Sequence, residues 1–329
     1  MIISKTPYRI PLSGGGTDID FYYKKREGEF LSISIDQYVY VTLLERKIDN
    51  NYFIQTSSTE FSNNLKSIKN NLIRETLRYF NIKEKLHIST LSTIPTGTGL
   101  GSSSAMMVGL INCINEYKKL NLSSKEIITK AYNIERKICK YYGGWQDQIM
   151  SQYGGLVKGK IFKNGNFSVK KIKVTKNLTK NINKSLLLVY TQMKRDSSTV
   201  ILSQKKRENN TISGYDKIKS LNKPMLKLLN SNNVSNFGNL FNKHWEIKKK
   251  FSNQMSNNKI DKLFDKIKKN KNVTGGKLIG AGGGGFFLVS TPNKKKLIKS
   301  LIKQKLNYLD FNIDTSGSRI IIFNKLLKS

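Results

Sequence analysis

The chain carries Pro95-Thr96-Gly97-Thr98-Gly99-Leu100-Gly101-Ser102-Ser103-Ser104-Ala105, a loop rich in glycine and serine. Apolar residues then recur at Met107, Leu110, Ile111 and Ile114, which predicts an amphipathic helix that begins near Ser102. A glycine loop that leads into a helix N-terminus presents free N–H groups and the positive end of the helix dipole to an anion. The loop therefore predicts a phosphate-binding site, where serine hydroxyls contact phosphate oxygens or a Mg²⁺ ion.

Three other interpretations explain less of this loop. A Walker A loop requires a Lys after its glycines, and none follows here. A dinucleotide-binding fold requires a strand directly before the glycines and an acidic residue about 20 positions later. This chain has Pro95 before the glycines and Asn121 at that distance. A plain helix cap does not require three spaced glycines and three successive serines.

Two more glycine-rich stretches lie far from this loop. The first is Arg9-Ile-Pro-Leu-Ser-Gly-Gly-Gly-Thr-Asp18, which on its own is also compatible with a glycine turn that closes a hairpin. The second is Gly280-Ala-Gly-Gly-Gly-Gly-Phe286, between predicted strands at Lys277–Ile279 and Phe287–Ser290. Successive glycines between strands lower stability. They therefore indicate that the backbone approaches a ligand closely.

The length of 329 residues predicts two domains, since single hydrophobic cores usually stop growing at about 250–300 residues. The first half has β-rich runs and two helical patterns, the second of which begins at Ser123 with Glu126 in capping-box spacing. The β-rich runs are Phe30–Leu44, Tyr52–Thr56 and Leu86–Thr93. Residues 163–184 are rich in Lys and Asn and predict a connection between lobes, with a short strand at 167–174. We place the boundary at residue 180.

The second half predicts another α+β unit. An apolar strand at Leu186–Tyr190 precedes Lys-rich amphipathic helices that reach about Lys269. A strand, a helix and a strand follow at Gly285–Ser290, Lys294–Lys305 and Arg319–Phe323. This order suits a split-βαβ lobe.

The formal charge of +36, from 58 Lys and Arg against 22 Asp and Glu, raises the possibility of a nucleic-acid partner. The Lys residues, however, are interleaved with Asn and Ile in nearly every segment, which indicates solvated faces rather than one groove. A nucleic-acid-binding module stays the alternative from another functional class. It predicts retention on DNA that falls steeply with salt. We expect no nucleic-acid partner, and a positive field that attracts anions such as ATP.

The rare Cys and His residues exclude several kinds of chemistry. Cys113 and Cys139 form no C-x-x-C pattern, which argues against a disulfide framework or a thiolate metal site. His87 and His244 are the two histidines, which argues against Ser-His-Asp and multi-His sites, and we expect both to be ordinary surface or packing residues. Residues 1–11 lack the apolar core of a signal peptide, and no apolar run approaches the ~18 residues of a membrane span. We therefore expect a cytoplasmic protein without membrane contact.

In chain order, the first glycine motif is Arg9–Asp18, the second is the loop Pro95–Ala105 and the third is Gly280–Phe286. Together and in this order, the three motifs resemble those of the GHMP kinases. Within that superfamily, the segment from Arg9 to Asp18, the sequence Gly144-Trp-Gln-Asp-Gln148 and the glycine run at 280–285 are most similar to kinases of D-glycero-D-manno-heptose 7-phosphate. Galactokinases carry Gly-Glu-His-Thr-Asp where this chain has Gly14-Gly-Gly-Thr-Asp18, which argues against galactose.

The resemblance implies a two-domain α+β fold, with a ribosomal-S5-like domain over residues 1–180 and a ferredoxin-like domain over residues 181–329. It implies ATP and Mg²⁺ as cofactors, with ATP in the cleft between the domains. The expected ATP-binding residues are Pro95, Gly97, Gly99, Leu100, Gly101, Ser102, Ser103 and Ser104.

The resemblance also assigns the catalytic and metal-binding residues. Asp147, in the turn after the second helix, matches the catalytic carboxylate, and Arg9 matches the basic residue that pairs with it. Glu135 matches the carboxylate that binds Mg²⁺, and Ser103 matches the hydroxyl that binds the same ion, with Ser104 as second choice. Glu135 lies on the predicted apolar helix face of Ile128, Ala131 and Ile138, so it needs a partner, and a simple bond to a Lys is the alternative.

For the acceptor, the resemblance implies that Asp18 accepts hydrogen bonds from sugar hydroxyls. Gly15, Gly16 and Thr17 and the glycines Gly282, Gly283 and Gly284 complete this site. Arg195, or less favourably Lys194, is expected to hold a substrate phosphate, because a guanidinium binds phosphate bidentately; a plain surface charge is an equal alternative for Arg195.

The expected reaction is transfer of the γ-phosphate of ATP to the anomeric hydroxyl of D-glycero-D-manno-heptose 7-phosphate, giving the 1,7-bisphosphate and ADP. The alternative within the superfamily is a kinase of an unphosphorylated sugar such as fucose. We expect only small molecules as partners and a monomer or homodimer.

Overall fold

The computed structural model describes residues 1–194 and 197–323, which form two β-sheets with helices packed on them. The strands are β1 Ile2–Ser13, β2 Gly28–Glu45, β3 Tyr52–Gln55, β4 Thr59–Ser62, β5 Leu86–Ser92, β6 Leu156–Ile161, β7 Phe167–Ile172, β8 Leu186–Tyr190, β9 Gly275–Leu278, β10 Phe286–Ser290, β11 Tyr308–Leu309 and β12 Arg319–Phe323. The helices are α1 Asp20–Tyr23, α2 Asn71–Tyr79, α3 Ser102–Lys118, α4 Ser124–Tyr132, α5 Gln146–Tyr153, α6 Lys176–Ser185, α7 Ser197–Lys205, α8 Glu208–Ser220, α9 Asn222–Asn230, α10 Phe237–Lys249, α11 Asn258–Lys268 and α12 Lys294–Lys303. Short 3₁₀ turns lie at Leu65–Ser67 and Val234–Asn236, and a π-helical turn at Asn133–Ile138.

The first sheet is built around the long strand β2. It has the order β12-β1-β2-β5-β3-β4, and β6 and β7 extend it beside the first half of β2. Its pairs are antiparallel except β3 with β5. β1 lies between β2 and β12, and its last residues lead directly into the first glycine motif.

The second sheet has the order β11-β8-β10-β9 with antiparallel pairs throughout. In chain order this is 4-1-3-2 with helices in the first and last connections, which is the ferredoxin-like arrangement. The α+β architecture is therefore confirmed. The expectation that Arg319–Phe323 completes this second sheet is wrong, because β12 pairs with β1 of the first sheet and the short β11 takes its place.

The loop between the two sheets is more regular than its composition indicates. Residues 163–184 contain β7, which pairs with β6, and most of α6, whose N-cap Thr175 accepts a hydrogen bond from Leu178 N at 3.1 Å. The division at residue 180 stays a prediction, and α6 runs across it. The helix α2 was not predicted.

The helix α3 begins at Ser102 as predicted, and all four apolar positions of its predicted face are buried. It packs against β1 and β2 of the first sheet. The capping box at Ser123 and Glu126 is also present, with both reciprocal hydrogen bonds formed.

The helical pattern after α4 differs from the predicted face. The π-helical turn at Asn133–Ile138 is closed by a bond from Cys139 N to Ile134 O at 2.9 Å. An extra residue per turn shifts the later side chains around the axis. Glu135 is buried as predicted, whereas Ile138, predicted on the same face, is 43 % exposed.

One hydrophobic cluster joins the two sheets. It includes Ile10 and Leu31 of the first sheet, Leu188 and Leu288 of the second, and Phe237 of α10. A surface that buries apolar side chains from both sheets couples their stability. None of the helices in the described residues is both long and apolar enough to cross a membrane.

Candidate active site

A cavity of about 540 Å³ lies where the three glycine motifs meet. Its walls come from the end of β1 and the following turn, the loop before α3, the start of α5, the start of α7 and the end of β9. Cys113 and Cys139 are free cysteines in the structure.

The glycine loop Pro95–Ala105, called the phosphate loop below, forms one wall of the cavity. Gly97, Gly99 and Gly101 have positive φ angles of 78°, 84° and 84°, which bend the backbone toward the start of α3. Gly97, Gly99, Gly101 and the three serines line the cavity, as does Thr96. Pro95 and Leu100 do not, because Pro95 is exposed and Leu100 is buried in the core. The wall thus presents a helix N-terminus and three hydroxyls.

Arg9 and Asp147 form an ion pair beside this loop. Arg9 Nε and Nη2 lie 2.7 Å and 2.5 Å from Asp147 Oδ1, and Nη1 donates to the Gly99 carbonyl oxygen at 2.7 Å. Asp147 lies in the first turn of α5, not in the turn before it. The guanidinium fixes the carboxylate against the loop, and both side chains reach the cavity.

Glu135 is the centre of a polar cluster next to the serines. Its carboxylate accepts hydrogen bonds from Ser103 Oγ at 2.7 Å, Ser104 Oγ at 2.8 Å and Gln148 Nε2 at 2.7 Å. Arg136 Nη1 lies 3.2 Å from its Oε1. The alternative that Glu135 bonds a Lys is therefore wrong, since its cationic neighbour is Arg136.

The Ser103 and Glu135 oxygens fit a magnesium site of the expected type. The Ser103 hydroxyl and the Glu135 carboxylate lie side by side on the cavity wall. Hard oxygen ligands that leave room for phosphates and water suit Mg²⁺. Within the described residues no group of three or more His, Cys, Asp or Glu side chains could hold a metal. A site with one protein carboxylate does not require such a group.

Asp18 is buried at the junction of the first glycine motif and α5. Its Oδ2 accepts a hydrogen bond from Gln146 N at 2.8 Å and its Oδ1 accepts one from Gly16 N at 3.0 Å. Burial raises the pKa of Asp18, and the charge of Asp147 adds to the rise. Gly144 is required here, because a Cβ at that position would overlap the Asp18 carboxylate.

The structure brings only part of the predicted acceptor site to the cavity. Gly15, Gly16 and Asp18 line it. Thr17 does not, since its buried hydroxyl donates to the carbonyl oxygens of Gly14 and Glu29 and thereby closes the turn. Arg195 lies outside the described residues, and Lys194 is exposed and away from the cavity.

The third glycine motif also contributes differently from the prediction. Gly280 and Ala281 line the cavity, whereas Gly282, Gly283 and Gly284 lie behind them. Gly285, with φ of 95°, lies against the backbone of Thr98, and a Cβ there would overlap the Thr98 carbonyl oxygen. This run therefore packs against the phosphate loop itself, and its close approach is to protein backbone.

Sequence reasoning missed a basic group in the cavity wall, made of Lys277, His244 and Lys248. Lys277 is 1 % exposed in β9, and the other two residues lie on α10. His244, expected to be an ordinary residue, is buried at the cavity, whereas His87 is remote from it. The available signal was one Lys inside the apolar strand before the glycine run.

The family model described as GHMP kinases N terminal domain matches residues 66–155. The D-glycero-alpha-D-manno-heptose 7-phosphate kinase of Campylobacter jejuni subsp. jejuni serotype O:2 is 30% identical over 335 residues, which cover 96% of this chain and 97% of that protein. The bifunctional fucokinase/GDP-fucose pyrophosphorylase of Arabidopsis thaliana is 27% identical over 247 residues, or 72% of this chain and 23% of that protein.

Solved structures extend the likeness to the whole fold. The crystal structure of a D-glycero-D-manno-heptose 1-phosphate kinase from Bacteroides thetaiotaomicron has a TM-score of 0.81, with 24% identity, and covers 99% of this chain and 100% of that one. At this identity the similarity concerns the fold.

Proposed function

The chain belongs to the GHMP kinases and is an ATP-dependent sugar kinase, and from this premise we propose that it phosphorylates the anomeric hydroxyl of D-glycero-D-manno-heptose 7-phosphate. The observation that carries the proposal is the carboxylate of Asp147, held by Arg9 against the phosphate loop. The near full-length similarity to a heptose 7-phosphate kinase supports the acceptor.

The proposed reaction is direct in-line transfer. Asp147 takes the proton of the acceptor hydroxyl as its oxygen forms a bond to the γ-phosphorus. The bond from that phosphorus to the β,γ-bridging oxygen breaks, so that ADP leaves and the sugar 1,7-bisphosphate forms. Arg9 holds the carboxylate in position and offsets negative charge near the transferring group.

The phosphate loop positions the nucleotide. The N–H groups at the start of α3 and the positive φ angles of Gly97, Gly99 and Gly101 suit binding of the β- and γ-phosphates. Ser103 and Glu135 would hold Mg²⁺, which when bound neutralises charge on these phosphates. Gln148, Ser104 and Arg136 keep the Glu135 carboxylate in place.

The acceptor hydroxyls are proposed to bind at the first glycine motif. Asp18 already accepts two backbone N–H groups, which orient its carboxylate beside Gly15 and Gly16 at the cavity. Thr17 supports this wall from behind through its bond to the Gly14 carbonyl oxygen, whereas Gly282 and Gly283 lie against Met255 and Gly284 against Met193. We further propose small molecules as the only partners, a monomer or homodimer, and a cytoplasmic location.

A second candidate acceptor is an unphosphorylated sugar such as fucose. The similarity to the fucokinase of Arabidopsis thaliana over 72% of this chain favours it. The two candidates differ in whether the acceptor brings its own phosphate, so one panel of acceptors separates them.

The test is ADP release with Mg·ATP and a panel of D-glycero-D-manno-heptose 7-phosphate, mannose, galactose, fucose, mevalonate and homoserine. We expect turnover on the heptose phosphate alone. We also expect Asp147→Asn to lower kcat by about 10²–10⁴-fold with little change in ATP binding, because the amide cannot accept the proton. Unchanged turnover in D147N would exclude the assigned role, and turnover on fucose alone would replace the acceptor.

A further inference from the structure

The strand β9 carries a buried amine at the cavity wall. Lys277 is 1 % exposed, and its Nζ donates a hydrogen bond to the Leu12 carbonyl oxygen at 2.7 Å and lies 3.4 Å from His244 Nδ1. The ring of Phe241 lies 5.3 Å from the Nζ. Within residues 1–194 and 197–323, Lys277 has no acidic partner.

Among the described residues, the groups that contact Lys277 or shift its pKa are positive or neutral. Arg9 and Leu12 face it from β1, and His244 and Lys248 face it from α10. Lys248 Nζ donates to the Gly280 carbonyl oxygen at the start of the third glycine motif. Arg9 is already paired with Asp147. Within the described residues, no anion is therefore supplied to Lys277.

A buried ammonium without a counter-charge is strongly unfavourable. In keeping with this, burial and the charges of Lys248 and Arg9 lower the pKa of Lys277 well below its ordinary value. Burial and the two lysines lower the pKa of His244 in the same way. An anionic ligand at this wall would remove the penalty.

We propose that Lys277, with His244 and Lys248 beside it, binds the phosphate group that the acceptor sugar already carries. This inference rests on the proposed function and names the residues that recognise the acceptor's phosphate. The transferring phosphate has its own cradle on the first sheet, at Gly97–Ser104. Lys277 lies on the second sheet and lines the cavity together with Gly280 and Ala281.

Binding of a phosphate dianion to this wall changes the number of protons that the protein binds. The dianion favours the charged forms of Lys277 and His244, so their pKa values rise in the complex. The protein then takes up a proton from the solvent when the sugar phosphate binds. A wall that only packs against the sugar would take up none.

The test is calorimetric titration of the protein with D-glycero-D-manno-heptose 7-phosphate in two buffers of different ionisation enthalpy. We expect proton uptake in the wild type and a smaller uptake in Lys277→Met. We also expect K277M to raise KM for the sugar phosphate by about 10–100-fold, as for loss of a charge-assisted hydrogen bond, with KM for ATP unchanged.

Two further variants keep the test decisive. Lys277→Gln retains a donor for the Leu12 carbonyl oxygen and controls for loss of that bond. Lys299→Met removes an exposed Lys of α12, outside the cavity, and should bind like the wild type. A merely structural Lys277 predicts a lower unfolding midpoint for K277M and an unchanged proton uptake and KM, and that result would overturn the proposal.

The acceptor panel separates this proposal from the proposed function. If the wild type and K277M use the heptose phosphate equally well, the phosphate site is wrong and the kinase assignment stands. If only an unphosphorylated sugar is a substrate, both the proposed acceptor and this phosphate site are wrong.

Discussion

Arg9, Asp147 and Glu135 are each held by several contacts at the cavity. Arg9 donates to both Asp147 and Gly99, and Glu135 accepts from two serines and a glutamine. Such contacts fix the side chains before any ligand binds, which lowers the reorganisation needed during the reaction. Single substitutions here should therefore change kcat more than stability.

The buried amine of Lys277 makes the stability of the free protein depend on pH. Its pKa is lowered well below the ordinary value in the native protein, and it is near 10.4 in an unfolded chain. Between these two values the unfolded chain binds one more proton than the native protein, so the free energy of unfolding rises with pH.

We expect K277M to lose this slope. From about pH 8.5 to about pH 9.5, the free energy of unfolding of the wild type should increase relative to that of K277M. Urea unfolding at the two pH values measures it. Tyr8 and Cys113, whose pKa values burial raises to about 12, titrate in both proteins and cancel in the difference. Parallel pH profiles would show that Lys277 is charged in the native protein.

Individual site residues could be predicted from the sequence where they belong to a motif. Arg9, Asp18, Glu135 and Asp147 reach the predicted region because each belongs to a recognisable segment. Lys277 was missed because its position depends on a hydrogen bond to the Leu12 carbonyl oxygen, 265 positions away. No local sequence pattern indicates that contact.

The π-helical turn after α4 explains how one element presents a buried acid to the cavity. Its wider turn places Glu135 under Ser103 and Ser104 and turns Ile138 outward. A regular helical periodicity cannot predict this, because the pattern assumes a constant number of residues per turn. The helix was therefore predictable, and the face of its last residues was not.

The glycine run between β9 and β10 should control ATP binding through the phosphate loop. Gly285→Ala would bring a Cβ against the Thr98 carbonyl oxygen and strain a backbone with φ of 95°. We expect KM for ATP to rise by about 10-fold or more, and the free energy of unfolding to fall by about 1–3 kcal/mol. Steady-state kinetics and urea unfolding measure the two effects.

Gly165→Ala is the matched control. Gly165 has a similar φ of 84°, but a Cβ there would meet only the Tyr23 ring edge and hydroxyl, at 3.8 Å and 3.6 Å, and it lies outside the cavity. This variant should lose stability through backbone strain and keep its KM for ATP. Equal KM values in G285A and G165A would argue against a link between the glycine run and nucleotide binding.

The two sheets of the molecule share one hydrophobic cluster, so we expect them to unfold together. The two tryptophans report on the two sides: Trp145 stacks on Tyr132 near the first sheet, and Trp245 packs against Phe287 of the second. In each of the single-tryptophan variants W145F and W245F, the fluorescence midpoint should therefore coincide with the circular dichroism midpoint of the same variant.

The tryptophan substitutions are mild, because neither buried indole N–H has a hydrogen-bond partner within the described part of the chain. Each variant's midpoint is first compared with its own circular dichroism transition. A fluorescence midpoint that differs from the circular dichroism midpoint of the same variant would mean that the shared cluster does not couple the two halves.

The broad architecture could be predicted because each half has its own pattern of strands and helices. The position of β12 could not be predicted, because the local sequence of a strand does not determine which strand it pairs with. Arg319–Phe323 looks like any apolar strand, and its pairing with β1 depends on the folded arrangement of both sheets.

The pairing of β12 with β1 also affects folding of the chain during its synthesis. Ile320 lies beside Ser4, 316 positions earlier, and at about 5–20 residues per second a ribosome needs roughly 16–60 seconds to synthesise that interval. Throughout this time the outer edge of β1 has no strand to pair with, and open strand edges are where nascent chains associate wrongly. Until β12 is made, the growing polypeptide is thus open to misassembly along the strand that carries Arg9.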